Sequence, residues 1–185
     1  MDIDPLYTLG DLARQRMQTI AQLREDGVFD LNRELGIPEV PQRIAVISSP
    51  QAAGYQDFMK ELGASPYRFD VTLFGAVMQG HGAETSIIGA LDAVADRAEE
   101  FDAAVIIRGG GSQSDLSFLN SYLLSFHIAQ FPLPVIAGLG HDKDQSVVDM
   151  VAALSLKTPT AVAAFLADRA AGFDARLEGL GDEIR

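Results

Sequence analysis

The sequence predicts an α/β fold: a doubly wound, mainly parallel, Rossmann-like sheet flanked by helices, with a helical lead-in at the N-terminus and a long helix at the C-terminus. Three observations point to it. Four short apolar runs have strand length, amphipathic helical stretches separate them, and helical periodicity occupies both ends of the chain. The 185 residues, 48% hydrophobic, suffice for one domain with a sizeable core and a short appendage.

In chain order, the first 24 residues place Leu9, Leu12, Ala13, Met17, Ile20 and Leu23 at helical spacing. Asp26-Gly27 and Gly36-Ile37-Pro38-Glu39-Val40-Pro41 then break the pattern, which sets a boundary near residue 40. Residues 1–40 are thus an N-terminal helix and linker, 41–158 the α/β domain, and 159–185 a C-terminal helix. Within the domain, Arg43 to Ser48, Phe69 to Phe74, Ala103 to Ile107 and Leu133 to Gly138 read as strands buried on both faces. Helices are expected over Gln56 to Leu62, Glu84 to Phe101 and Asp115 to Gln130. Thr158-Pro159 caps and starts a final helix in which Phe173, Leu177, Leu180 and Ile184 step by four, three and four, the spacing of a coiled-coil seam or a docking helix.

Composition excludes some classes of function. No apolar stretch approaches the roughly 18 residues of a membrane span. The acidic N-terminus lacks a secretory signal, and the absence of cysteine excludes disulfides and thiolate metal sites. A cytoplasmic chain is the expectation. The formal charge of -12 opposes broad nucleic-acid binding, so any such role must use a local basic site or contacts borrowed from elsewhere.

In open parallel sheets ligands bind beyond the carboxyl ends of the strands. The segments there are SSPQAAGYQD, GAVMQGHG, RGGGSQSD and GLGHDKDQS, polar and glycine-rich, whereas the opposite connections DRAEEFDA and AQFPLP are ordinary. Arg108 with Gly109, Gly110, Gly111 and Ser112 offers a guanidinium fork and side-chain-free amides for a phosphate, helped by the N-terminus of a helix from about Asp115; a tight strand-to-helix turn is the plain alternative. No Lys-Ser/Thr follows as in a Walker A loop, and the third glycine of a G-x-G-x-x-G fingerprint is missing because position 114 is serine. His141 is suited to proton transfer with Asp144 fixing its tautomer, or GHDKD is a solvated turn with Asp144 capping the next helix. Asp57 is either a site carboxylate or a first-turn partner of a helix dipole. Ser49 lacks the G-x-S-x-G elbow of a nucleophile, Gln79-Gly80 either donates to a ligand or turns the chain, His81 lies in a glycine-flanked loop, and His127 in an apolar helix is structural.

The ordered set RIAVISSPQAAGYQD, VMQG, VIIRGGGSQSDL, PVIAGLGHDKD and KTPTAVA, spanning roughly residues 28 to 165, resembles the catalytic domain of the exonuclease VII large subunit. The resemblance implies a hydrolase that degrades single-stranded DNA from both ends into short oligonucleotides, with several copies of a small helical partner subunit. It carries the activity onto Asp57, Arg108, His141 and Asp144, with no obligatory cofactor and an optional Mg2+ at Asp57 and Asp144. Ser114-Asp115, Ser117, Tyr122 and GHDKD depart from the family's usual residues. The oligonucleotide-binding barrel and most of the helical arm of the family are not in this sequence, which suggests a fragment or a minimal relative with weak DNA affinity by itself. A non-catalytic scaffold of the same fold and a small-molecule phosphate or flavin binder are the competing classes.

Overall fold

The computed structural model describes residues 5–109, 116–140 and 145–183. Helices α1 (Pro5–Glu25) and α2 (Leu31–Glu34) lead into five strands: β1 (Arg43–Ser48), β2 (Asp70–Gly75), β3 (Ala103–Ile107), β4 (Val135–Gly138) and β5 (Leu154–Ser155). Between and after them lie α3 (Ala53–Ala64), α4 (Ala83–Ala95), α5 (Tyr122–Ala129), α6 (Val147–Val151) and α7 (Pro159–Glu183). The sheet is parallel throughout, in the order β2-β1-β3-β4-β5. This is the doubly wound α/β arrangement.

Alternation along the central strands divides the core. Ala45, Ile47, Ala104, Ile106 and Ala137 face a layer containing Leu23, Ile87, Leu91, Leu124, Ile128 and Val148 from α1, α4, α5 and α6. Ile44, Val46, Val105, Ile107 and Ile136 face Phe58, Leu62, Val162 and Leu166 from α3 and α7. Such two-sided burial is what a continuous apolar run in a parallel sheet requires.

Several boundaries differ from expectation. The second strand is Asp70–Gly75 and only half-buried, not buried on both faces, because it forms an edge of the sheet. The fourth begins at Val135, and two-residue β5 was not anticipated. The helix expected to reach Phe101 stops at Ala95; Arg97 then pairs with Glu100 at 2.7 Å and stacks over Phe74 and Phe101, turning the chain. The segment expected to run as one helix to Gln130 is described from a 3-10 turn at Ser117–Asn120, and α5 opens at Tyr122 because the Ser121 hydroxyl accepts from Leu124 N–H. The helix after β1 starts at Ala53 rather than Gln56.

Polar joints fix the frame. Buried Asn32 donates to the Phe131 and Leu133 carbonyls at 3.2 and 2.8 Å and accepts from Val135 and Ala153 N–H at 2.9 and 3.0 Å, joining α2 to the approaches of β4 and β5. At the amino ends of β1 and β3, the Asp102 carboxylate accepts from the Arg43 guanidinium at 2.6 Å and from the Gln42 and Arg43 amides. Partial burial works to raise the Asp102 pKa, but these hydrogen bonds outweigh it and hold the group below its ordinary value. At the opposite end, Gly54 in the first turn of α3 meets Gly109 just beyond β3, and a Cβ on Gly54 would lie 2.5 Å from Gly109 N.

Two expectations follow for stability. Gly54→Ala should lower the unfolding free energy by about 1–3 kcal/mol, since neither backbone can yield without moving α3 or β3; denaturant titration checks this. Asp102→Asn should cost about 1 kcal/mol at neutral pH, discounted for the half-exposed Arg43. Because the folded pKa of Asp102 is depressed, that difference should persist above the ordinary aspartate range near pH 4 and shrink as pH falls through the folded value, as read by stability curves across pH.

Candidate active site

After β1 the chain leaves toward β2 on one side of the sheet, and after β3 it leaves toward β4 on the other. The connections diverge and open a crevice at the carboxyl ends, where ligands of such sheets bind. A cavity of about 740 Å³ lies there. Its walls are Ser49 to Ala53 beyond β1, Gly75 at the end of β2 with Ala76 to Gln79 beyond it, Ser86 of α4, and Arg108-Gly109 beyond β3.

Arg108 follows the last residue of β3, and its amide donates to Gly138 O at 3.2 Å, which continues the β3–β4 ladder past the strand end. Only 5% of the residue is exposed, and burial pulls its guanidinium pKa below the ordinary arginine value. A cation removed from water in this way gains strongly from a ligand anion.

The N-terminus of α3 opens on the same cavity. Ala52 provides no side-chain cap, and its carbonyl already accepts from Tyr55 and Gln56 N–H at 3.1 and 3.2 Å. With Tyr55 and Gln56 N–H thereby paired, the Ala53 and Gly54 amides are the first-turn groups without an intrahelical acceptor, at the positive end of the dipole. Gln51, Ala52 and Ala53 line the cavity with little side chain in the way. The site thus has two independent attractions for an anion, a buried guanidinium and an open helix end. The sequence reading located only the first, because backbone amides leave no residue-type signal beyond the small residues of PQAAG.

The other residues fall as follows. Asp57 lies on the exposed face of α3, in its second turn, and does not line the cavity; dipole effects fade beyond the first turn, so that alternative loses its basis. Gln79 lines the cavity, whereas exposed His81 stands between two left-handed glycines, Gly80 and Gly82, and does not. His127 places Nδ1 2.8 Å from Leu123 O within α5, in keeping with a structural role. Gly109 is described and packs against Gly54; Gly110, Gly111, Ser112, His141 and Asp144 lie outside the described residues.

The cap of α6 is Ser146 and not Asp144. Ser146 Oγ accepts from Asp149 N–H at 3.2 Å, and buried Asp149 accepts from Ser146 N–H at 2.9 Å and from the Ser155 hydroxyl at 2.8 Å. Asp149 therefore ties α6 to β5. Gly138, at the end of β4, is packed so closely by Val162 of α7 that a Cβ would lie 2.7 Å from Val162 Cγ2. Among the described residues, no three His, Asp or Glu side chains gather as a metal site.

Residues 28–185 match the family model described as exonuclease VII, large subunit. The exodeoxyribonuclease 7 large subunit of Deinococcus radiodurans is 40% identical over 172 residues, covering 90% of this chain and 41% of that protein. Those of Cyanothece sp. and Lactobacillus helveticus are 36% and 34% identical, covering 83% and 89% of this chain and 36% and 38% of those proteins. The chain thus spans about two fifths of the length of these curated relatives. With the family model matched across both walls of the crevice and through the helix that closes over β4, the chain belongs to the exonuclease VII large subunit family.

Proposed function

We propose that the chain carries the catalytic α/β unit of an exodeoxyribonuclease VII large subunit and hydrolyses phosphodiester bonds of single-stranded DNA, releasing short oligonucleotides from both ends. The observation that carries this reading is Arg108, buried at the carboxyl end of β3 and lining a crevice shared with the open N-terminus of α3. Hydrolysis of a phosphodiester needs charge stabilised on the phosphoryl oxygens, a water activated and the leaving oxygen protonated. Arg108, the α3 amides and the amides of Gly109, Gly110, Gly111 and Ser112 serve the first need. His141 serves as general base or acid, oriented by Asp144. The family resemblance adds Asp57, which stands on the exposed face of α3 outside the cavity, as a group for water, His141 or an optional Mg2+.

The partner in this reading is a small helical subunit in several copies, and the compartment is the cytoplasm. Leu177 and Leu180, both more than half exposed on α7, give the helical partner an apolar face of suitable spacing. No helix among the described residues is long and apolar enough to cross a membrane.

Release of labelled oligonucleotides from single-stranded DNA, measured with the small partner present, tests the reading. His141→Ala should lose at least about a hundredfold in turnover while remaining folded, and near-normal turnover would reject its role. Arg108→Lys keeps the charge but loses the planar fork, so kcat/KM should fall by roughly 10²-fold. A value within threefold of the unaltered protein would remove Arg108 from the phosphate site.

A further inference from the structure

The two segments that carry the proposed chemistry, the glycine segment after Arg108 and GHDKD after β4, are followed in the chain by Ser117–Asn120 and by α6. One side chain joins these downstream stems. Asn120 Oδ1 accepts from Val147 N–H at 3.0 Å, and Val147 is the first residue of α6. The Ser146–Asp149 box pairs the Ser146 and Asp149 amides, while Asn120 takes the Val147 amide between them. Asn120 is itself held: its carbonyl accepts from the buried Thr19 hydroxyl of α1 at 3.0 Å. Leu119, 2% exposed, anchors the same turn in the core, and Ser121 caps α5 immediately after.

We propose that Asn120 is a positioning residue for hydrolysis, fixing the distance between Ser117–Asn120 and α6, the elements that follow the glycine segment and the His141–Asp144 segment in the chain, through its bond to Val147 N–H. The inference rests on the functional reading above. Leu119 and Val147 pack each stem on the core, and the Asn120 bond satisfies the amide of buried Val147. The added cross-link sets the two stems relative to each other. Relative placement is what a hydrolytic site is most sensitive to, since a misplacement of about 1 Å can cost on the order of 10²-fold in rate.

The test compares Asn120→Ala, Asn120→Asp and Thr19→Val in the single-stranded DNA assay with the small partner present. Asn120→Ala should lower kcat by about tenfold or more with KM within about threefold, because the ground-state phosphate contacts remain. Asn120→Asp keeps an acceptor for Val147 N–H and adds a favourable charge at the α6 N-terminus, so it should restore kcat to within about threefold. Equal kcat for Asn120→Ala and the unaltered protein, or an Asn120→Asp as impaired as Asn120→Ala, overturns the proposal. Should Asn120→Ala not fold, Thr19→Val decides: it must lower kcat in the same direction without raising KM, and a kcat within twofold of normal overturns the proposal. His141→Ala run in parallel separates the two readings. Absence of oligonucleotide release by the unaltered protein with its partner overturns the functional reading and this inference together, whereas loss of turnover in His141→Ala beside a fully active Asn120→Ala overturns this inference alone.

Discussion

Everything at the carboxyl end of the sheet depends on the contact between two glycine backbones. A Cβ on Gly54 would lie 2.5 Å from Gly109 N, and a Cβ on Gly109 would lie 2.7 Å from Gly54 N, so neither position tolerates a side chain. The consequence is positional. The first turn of α3 comes as near the exit of β3 as two backbones allow, which brings Ala53 at the start of that turn and Arg108 to one crevice. A larger residue at either place would push the helix end away from the arginine and divide the anion site in two. Gly109 thus contributes first as a packing glycine, the role that the third glycine of dinucleotide loops plays between helix and strand.

Local electrostatics also resolves the conflict between an acidic chain and a polyanionic substrate. The formal charge is -12, yet no Asp or Glu is among the described residues lining the cavity, and Arg108 is the charged group there. Carboxylates that the fold uses are held elsewhere: Asp102 binds Arg43 at the amino ends of the strands, and Asp149 is enclosed by Ser146 and Ser155. Solvent and salt screen the surface charges over about 10 Å, whereas a buried cation and a helix end act at contact distance. Net charge therefore governs long-range attraction of DNA and says little about the grip on a single phosphate once it has entered.

Much of this was legible in the sequence where a residue's own chemistry decides its place. RIAVIS and AAVII match β1 and β3 residue for residue, because apolar runs bounded by Arg43 and Ser49-Pro50, or by Asp102 and Arg108, have few other solutions. The crevice was legible too, as the contrast between polar exits and ordinary returns. What escaped is decided by partners. β5 is two residues long and exists through its pairing with β4. The helix around Leu116 to Phe126 has continuous apolar periodicity, but Ser121 interrupts it with a cap. Asn120 and Asn32 carry no mark in the sequence that separates them from surface asparagines; only the groups brought around them give them a role. His141, Asp144 and Gly110 to Ser112 are known from the sequence alone, so the catalytic reading of those positions stands on motif and on the geometry of their flanks.

The same two asparagines show why the N-terminal helices belong to the frame of the site. Asn32 of α2 satisfies both donors and two acceptor positions on backbone groups around β4 and β5, and in doing so sets where β4 begins. Thr19 of α1 holds Asn120, which in turn holds the start of α6. The N-terminal part of α1 is less buried: Leu9 is mostly exposed, while Leu23 near its end is wholly buried. Stability in a fold is not uniform, and a helix anchored at one end transmits its position through the anchored end. The part of α1 that matters to the crevice is therefore Thr19 to Leu23. Through Asn120 its influence reaches the stems of both loops, although no residue of α1 lines the cavity.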